Sequence, residues 1–309
     1  MLLLSLPFCL YAVFILMVDP FDFFNGHAAV PEGIKLRTAA MLNPCFWKMN
    51  QYKRRPAANI LLGDSQMVTL RADKIKEITG EDYFNFASGG GSIKEDIDTF
   101  WFAARLVKLR KVYIDMSLTS FNDAAYSDRT KLFLATEQNP VRYFLSQTVA
   151  RAAVYAAYSA LTHTDLKLGV PRIPEKAFWQ NELLRQTDIY RRRVYPTKYK
   201  PELAHVIRYC REQGIQVFFV ILPAHVDLQY VAKARHLEKE NELMRRDLRA
   251  MAPLYDFNFE NEITVRKENF KDPTHFSEPI ADLIIREIWG GQLHHGKVYD
   301  LPPVVVPAP

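Results

Sequence analysis

The first eighteen residues, MLLLSLPFCLYAVFILMV, are apolar with no charge among them. At ~1.5 Å of rise per residue they make about 27 Å of helix, enough to reach across a bilayer core. The pattern predicts a transmembrane anchor over residues 1–18. A cleaved signal peptide is the first competitor, but the run has no basic leading segment and no small-x-small cleavage site; Asp19-Pro20-Phe21-Asp22 follows it directly. Pro7 and the lack of any polar face argue against a buried core helix. Residues 19–56 read as an arm or linker, broken by Pro20, Gly26, Pro31, Gly33 and Pro44.

From residue 57 the pattern alternates. Asn59-Ile60-Leu61-Leu62 is a short buried strand ending at Gly63, and a helix starting near Ser65 runs through Met67, Leu70 and Ile75. Tyr83 to Phe86 predicts a second strand, and Ile93, Ile97, Phe100 and Ala104 give helical spacing behind Glu95 and Asp96. Lys111 to Met116 is a third strand. Residues 123–200 interrupt the rhythm as a helical insertion, with one helix expected from Asn139-Pro140 to about residue 162. A helix over 201–212, a strand over 217–222, a charged helix over 229–251, a short strand over 254–257 and a closing helix over 279–289 complete the series. The order predicts an α/β fold: three layers, α/β/α, around a central parallel sheet. The domain would span 57–291, with 292–309 an extended tail.

Composition narrows the reading further. A net charge of +5 over 309 residues is a weak bias. The best basic cluster, Arg191-Arg192-Arg193 with Lys198 and Lys200, is short and reads as a solvated face, so no nucleic-acid partner is expected. Cys9, Cys45 and Cys210 form neither a disulfide framework nor a metal-type spacing. No His-x-x-x-His pattern supports a metal, so no metal and no cofactor is expected.

In an open parallel sheet, ligands bind at the carboxyl ends of the strands. The residues there are Gly63-Asp64-Ser65, Ser88-Gly89-Gly90-Gly91, Ser117 to Asn122, and Pro223-Ala224-His225; Asp272-Pro273-Thr274-His275 comes late in the chain. A serine at a strand-to-helix turn has its hydroxyl near backbone N–H groups that can hold an oxyanion. It needs a base, and the base an orienting acid. Asp272 and His275, three residues apart before the last helix, can supply both from one turn. Each motif alone has a bland reading: Gly-Asp-Ser is a common turn, and an Asp-x-x-His can be a helix cap beside a surface histidine.

Together and in this order they resemble the SGNH (GDSL-like) hydrolase superfamily over roughly residues 57–290, with a flavodoxin-like sheet. The apolar N-terminus followed by Val18-Asp19-Pro20 resembles its membrane-anchored branch, similar to alginate O-acetylation proteins and the D-alanine transfer protein. The resemblance implies Ser65 as nucleophile, His275 as base and Asp272 as its orienting acid. The oxyanion donors would be the Ser65 N–H, Gly90 and Asn122. The usual Gly-x-Asn-Asp block reads Ser120-Phe121-Asn122-Asp123, with serine at the glycine position. Asp64, Gly89 and His225 are candidate substrate-facing residues.

The function implied is a serine O-acyltransferase or esterase acting on acylated cell-surface polysaccharide. An acyl donor and a polysaccharide acceptor would be its partners, with a membrane-bound O-acyltransferase beside it. The location implied is the bacterial inner membrane, single-pass through residues 1–18, with the domain on the periplasmic or outer side. The alternative is a non-catalytic accessory protein that keeps the fold to dock on such an acyltransferase. A third reading is a cytosolic-side lipid esterase held by its N-terminus.

Overall fold

The computed structural model describes residues 2–24, 29–124, 127–168 and 174–301. The chain divides into two compact units: Met1–Arg55 with Asp128–Arg172, and Pro56–Ser127 with Ile173–Pro309. The stretch 123–200, which the sequence sets apart as one insertion, is thus shared between them.

The first unit is helical. Its first helix, Leu2–Val18, has 17 residues. Among the described residues no helix is long and apolar enough to cross a membrane. The transmembrane anchor expected over residues 1–18 is therefore not found. Part of the first helix is used for packing. Ile15 and Val18 are buried, and Tyr11 Oη donates to Phe144 O at 2.8 Å. Leu6, Phe8, Leu10, Val13, Leu16 and Met17 stay exposed.

Asp19 explains the Val-Asp-Pro sequence locally. Buried, it accepts the N–H groups of Phe23 (2.9 Å) and Phe24 (3.0 Å) and the Tyr143 hydroxyl (2.8 Å), closing the turn that leaves the first helix. Phe46 packs beside that turn, its ring 4.6 Å from Phe21 and 5.1 Å from Phe133. The helix expected over 139–162 is two, Val141–Phe144 and Gln147–Thr162, because Ser146 caps the second by accepting the Val149 N–H.

The second unit is built on a sheet of six strands: β1 (Asn59–Leu62), β2 (Tyr83–Asn85), β3 (Lys111–Asp115), β4 (Gln216–Ile221), β5 (Leu254–Asp256) and β6 (Lys297–Tyr299). Their spatial order is β2-β1-β3-β4-β5-β6. The first five are parallel; β6 runs antiparallel against β5, so the sheet is mixed and part of the stretch 292–301 is an edge strand. The order 2-1-3-4-5 is the doubly wound one, in which the crevice opens at the carboxyl ends beside β1 and β3.

Strand alternation sorts the core onto two faces. Leu61, Tyr113 and Val220 pack toward Ile75 of the helix Ala72–Thr79 and Ile280, Ile284 and Ile288 of the helix Glu278–Gly290. Ile60, Val112 and Phe219 point the other way, where the helices Ile93–Leu106 and Tyr199–Glu212 lie. Two expected helices are broken. The one after β1 stops at Val68 and restarts at Ala72. The charged one is split into Val226–Ala234 and Glu238–Met251, where His236 takes a left-handed φ of 57°.

Candidate active site

The site lies wholly within the second unit. β1 ends at Gly63, whose φ of 144° favours glycine; a Cβ there would stand 2.6 Å from the Asp115 Cβ. The chain turns sharply, Asp64 accepts the Gln66 N–H at 2.9 Å as helix cap, and Ser65 opens the short helix. Gly91 presses against this turn from the second block; a Cβ on it would meet Gly63 O at 2.7 Å. Here too only glycine leaves room for the neighbouring backbone.

His275 comes from the loop before the last helix. Its Nε2 is 2.7 Å from Ser65 Oγ and its Nδ1 2.7 Å from Asp272 Oδ2. The other Asp272 oxygen accepts the N–H groups of Thr274 (2.8 Å) and His275 (2.9 Å), so the same carboxylate shapes the loop and orients the ring. Asp272 can only accept in its ionised state. The hydrogen therefore sits on Nδ1, and Nε2 is free to take the Ser65 proton.

The electrostatics agree. Burial alone would lower the His275 pKa, but the hydrogen bond and charge of Asp272 outweigh it and hold the imidazole above its ordinary value. Asp272 shows the mirror effect: burial pushes its carboxyl up, and the His275 hydrogen bond and charge, with two backbone N–H groups, bring it below its usual value.

A cavity of about 380 Å³ opens over Ser65, lined on one side by Gly90, Gly91, Thr119 and Asn122 and on the other by Gln186 and Tyr190. Asn122 Oδ1 accepts two N–H groups, from Ala124 and Val194, each at 2.9 Å. That fixes the amide and leaves Nδ2 as the donor for the cavity. The Gly91 N–H is spent on Ser88 O at 2.9 Å, while Gly90, at a left-handed φ of 67°, lines the cavity. The serine at the expected glycine position also has a use: Ser120 Oγ accepts the Ser117 N–H at 2.9 Å and ties down the third loop.

The remaining candidates fall in different places. Asp64 lines the cavity; Gly89 and His225 do not. His225 is buried, with its ring 4.8 Å from Trp179 and 5.6 Å from Phe270, and its Nδ1 accepts the Asp227 N–H. Burial lowers its pKa, as suits a neutral helix-capping ring. Among the described residues no group of three or more His, Cys, Asp or Glu side chains is arranged to hold a metal ion.

Several structural supports gave no sequence signal. Gln66 Nε2 donates to both Pro223 O and Thr274 O at 2.8 Å, joining the Ser65 turn to the end of β4 and to the histidine loop. The helix Glu175–Arg191 adds a second tie. Its Glu182 accepts from the Thr274 hydroxyl at 2.8 Å, and its Gln186 accepts from Thr119 at 3.0 Å. The order of residues in the insertion does not announce that this helix lines the site.

No protein-family model matches the chain, and no curated protein matches it. Among similar solved structures is a GDSL-like lipase from Bacteroides thetaiotaomicron VPI-5482, at 10% identity and TM-score 0.39, covering 82% of this chain and 100% of that one. Another, described as an acylhydrolase, from Bacteroides fragilis NCTC 9343, has 10% identity and TM-score 0.35, covering 76% of this chain and 87% of that one. The site's own geometry, rather than these likenesses, carries the functional reading.

Proposed function

We propose that the chain is a serine acyl-transfer enzyme of SGNH type that works through an acyl-enzyme on Ser65. The observation that carries this is the unbroken relay from Ser65 Oγ to His275 Nε2 and from His275 Nδ1 to Asp272, each link 2.7 Å. In this scheme His275 takes the hydroxyl proton as Oγ attacks an ester carbonyl. The oxyanion meets the Ser65 and Gly90 N–H groups and Asn122 Nδ2, and His275 returns the proton to the departing alcohol oxygen. A water or acceptor hydroxyl then gives its proton to His275 as it attacks the acyl carbon, and His275 passes that proton to the departing Ser65 Oγ.

The substrate we infer is an acylated cell-surface polysaccharide, with transfer to a second hydroxyl or hydrolysis as the outcome. A cavity of this size falls within the range of about 300–1,000 Å³ usual for small-ligand sites. A place at the outer side of a bacterial cytoplasmic membrane, beside a membrane-bound O-acyltransferase, belongs to the same proposal. The exposed apolar side chains of Leu2–Val18, with no charge among them, support contact with a membrane. A non-catalytic docking role would not require the relay.

Turnover of p-nitrophenyl acetate by the wild type, Ser65→Ala and His275→Ala is the test. Both variants are expected to lose about 10⁴-fold or more in kcat. Turnover that survives Ser65→Ala in a folded chain contradicts the proposal. A sugar-hydroxyl acceptor added to the assay separates transfer from hydrolysis.

A further inference from the structure

Beneath the Gly63-Asp64-Ser65 turn lies a second carboxyl that the acyl-transfer scheme does not use. Asp115 closes β3, is 0% exposed, and neither of its carboxyl oxygens has a hydrogen-bond partner. Its approach to the turn is built in: a Cβ at Gly63 would lie 2.6 Å from Asp115 Cβ and 3.3 Å from Oδ2. The groups that face it are the Asp64 carboxyl and the Asp64 backbone N–H, with the charge of Asp96 also bearing on it. Asp64 in turn feels His275 and Arg185. A dry site does not tolerate two adjacent carboxylates both ionised. One shared proton removes that repulsion.

We propose that Asp64 and Asp115 share a single proton, resident on Asp115, and that the resulting acid–carboxylate hydrogen bond pins the turn presenting Ser65. Asp115 is thus a positioning residue that acts through Asp64. Burial, and after it the charge of Asp64, keeps the Asp115 carboxyl well above its ordinary range. Burial also raises Asp64, while the Gln66 N–H and the charges of His275 and Arg185 work to keep it ionised. The negative charge therefore remains on the Asp64 side, nearer His275.

Neutral asparagine approximates a protonated aspartic acid, offering an N–H where the acid has its O–H and keeping the carbonyl acceptor in nearly the same shape. The full-length Asp115→Asn chain should therefore keep the turn, whereas Asp115→Ala removes the donor and leaves a hole. The stability sign follows from linkage. A carboxyl whose folded-state pKa is raised binds its proton more tightly when folded. Wild-type stability from this group falls as pH rises above the unfolded value of about 3.9 and levels off above the folded value. Asp115→Asn lacks that slope.

The experiment measures Tm from about pH 5 to about pH 9 for the wild type, Asp115→Asn, Asp115→Ala and Asp64→Asn. The margin of Asp115→Asn over the wild type is expected to widen as pH rises, and Asp64→Asn to flatten the wild-type slope as well. On the kinetic side, which rests on the Ser65 reading, Asp115→Asn should stay within about threefold of wild-type kcat and Asp115→Ala should lose about tenfold or more, KM changing little. Parallel Tm slopes in the wild type and Asp115→Asn, a lower Tm for Asp115→Asn at pH 7, or equal kinetic loss in Asp115→Asn and Asp115→Ala would each overturn the proposal. The Tm comparison needs no turnover, so a failed Ser65 reading leaves it intact as a test.

Discussion

At the scale of single residues, the account turns on one proton. His275 must be neutral to accept it, and its pKa is held above the ordinary value of 6.5 by Asp272. The acid limb of kcat/KM is therefore expected above pH 6.5, with activity still rising through neutrality; a limb below pH 6.5 would show the ring to be less basic than its surroundings require. Asn122→Ala tests the oxyanion donor: kcat should fall about 10²–10³-fold with KM little changed. An equal rise in KM instead would mean that Asn122 binds the ground state. The sequence shows Ser65, Asp272, His275 and Asn122 because each lies beside a recognisable turn, at the end of a strand or before a helix. Asp115 and Gln66 stay silent for a physical reason: one reads as part of a buried strand and the other as an ordinary helix residue, and only three-dimensional contact gives them a role.

Among the elements, the parts of the proposed site sit on pieces far apart in the chain and are locked by side chains that cross between them. Gln66 is the central tie, donating to Pro223 O and Thr274 O from one amide. Gln66→Ala would leave both carbonyls without that donor, at a cost of about 1–3 kcal/mol in unfolding free energy, read by denaturant titration. The same change should lower kcat more than it raises KM, because it loosens the histidine loop; unchanged stability and kcat would deny Gln66 that role. The five parallel strands were legible because short apolar runs closed by turn residues leave few alternatives, and each is found within a residue of its expected bounds; the edge strand β6, in the stretch expected to be an extended tail, was not. The helix breaks were less so. His236 gives no strong breaker signal, yet takes the left-handed conformation that ends one helix before the next begins.

For the whole molecule, what pattern alone could not supply was long-range pairing. Local periodicity finds a helix over 139–162 but cannot say that it joins the N-terminal arm in one compact unit, while the helix Glu175–Arg191 lines the site of the other. The same limit applies to the N-terminus: an uncharged run reads as a spanning helix, whereas the chain folds it into a 17-residue helix with Ile15 and Val18 packed away. Its exposed row leads to a prediction at this scale. The full chain is expected to co-sediment with lipid vesicles, and Phe8→Asp with Leu10→Asp to abolish that while leaving p-nitrophenyl acetate turnover unchanged. Equal sedimentation of both chains would remove the membrane-surface role from this helix.

The central claim is that Ser65 is a nucleophile activated by His275. The most direct measurement is mass spectrometry of the intact chain after exposure to a fluorophosphonate, with the modified peptide sequenced. One phosphonyl adduct on Ser65, absent in Ser65→Ala and strongly slowed in His275→Ala, is the expected result. No adduct on a folded chain, or an adduct on another serine, would contradict it.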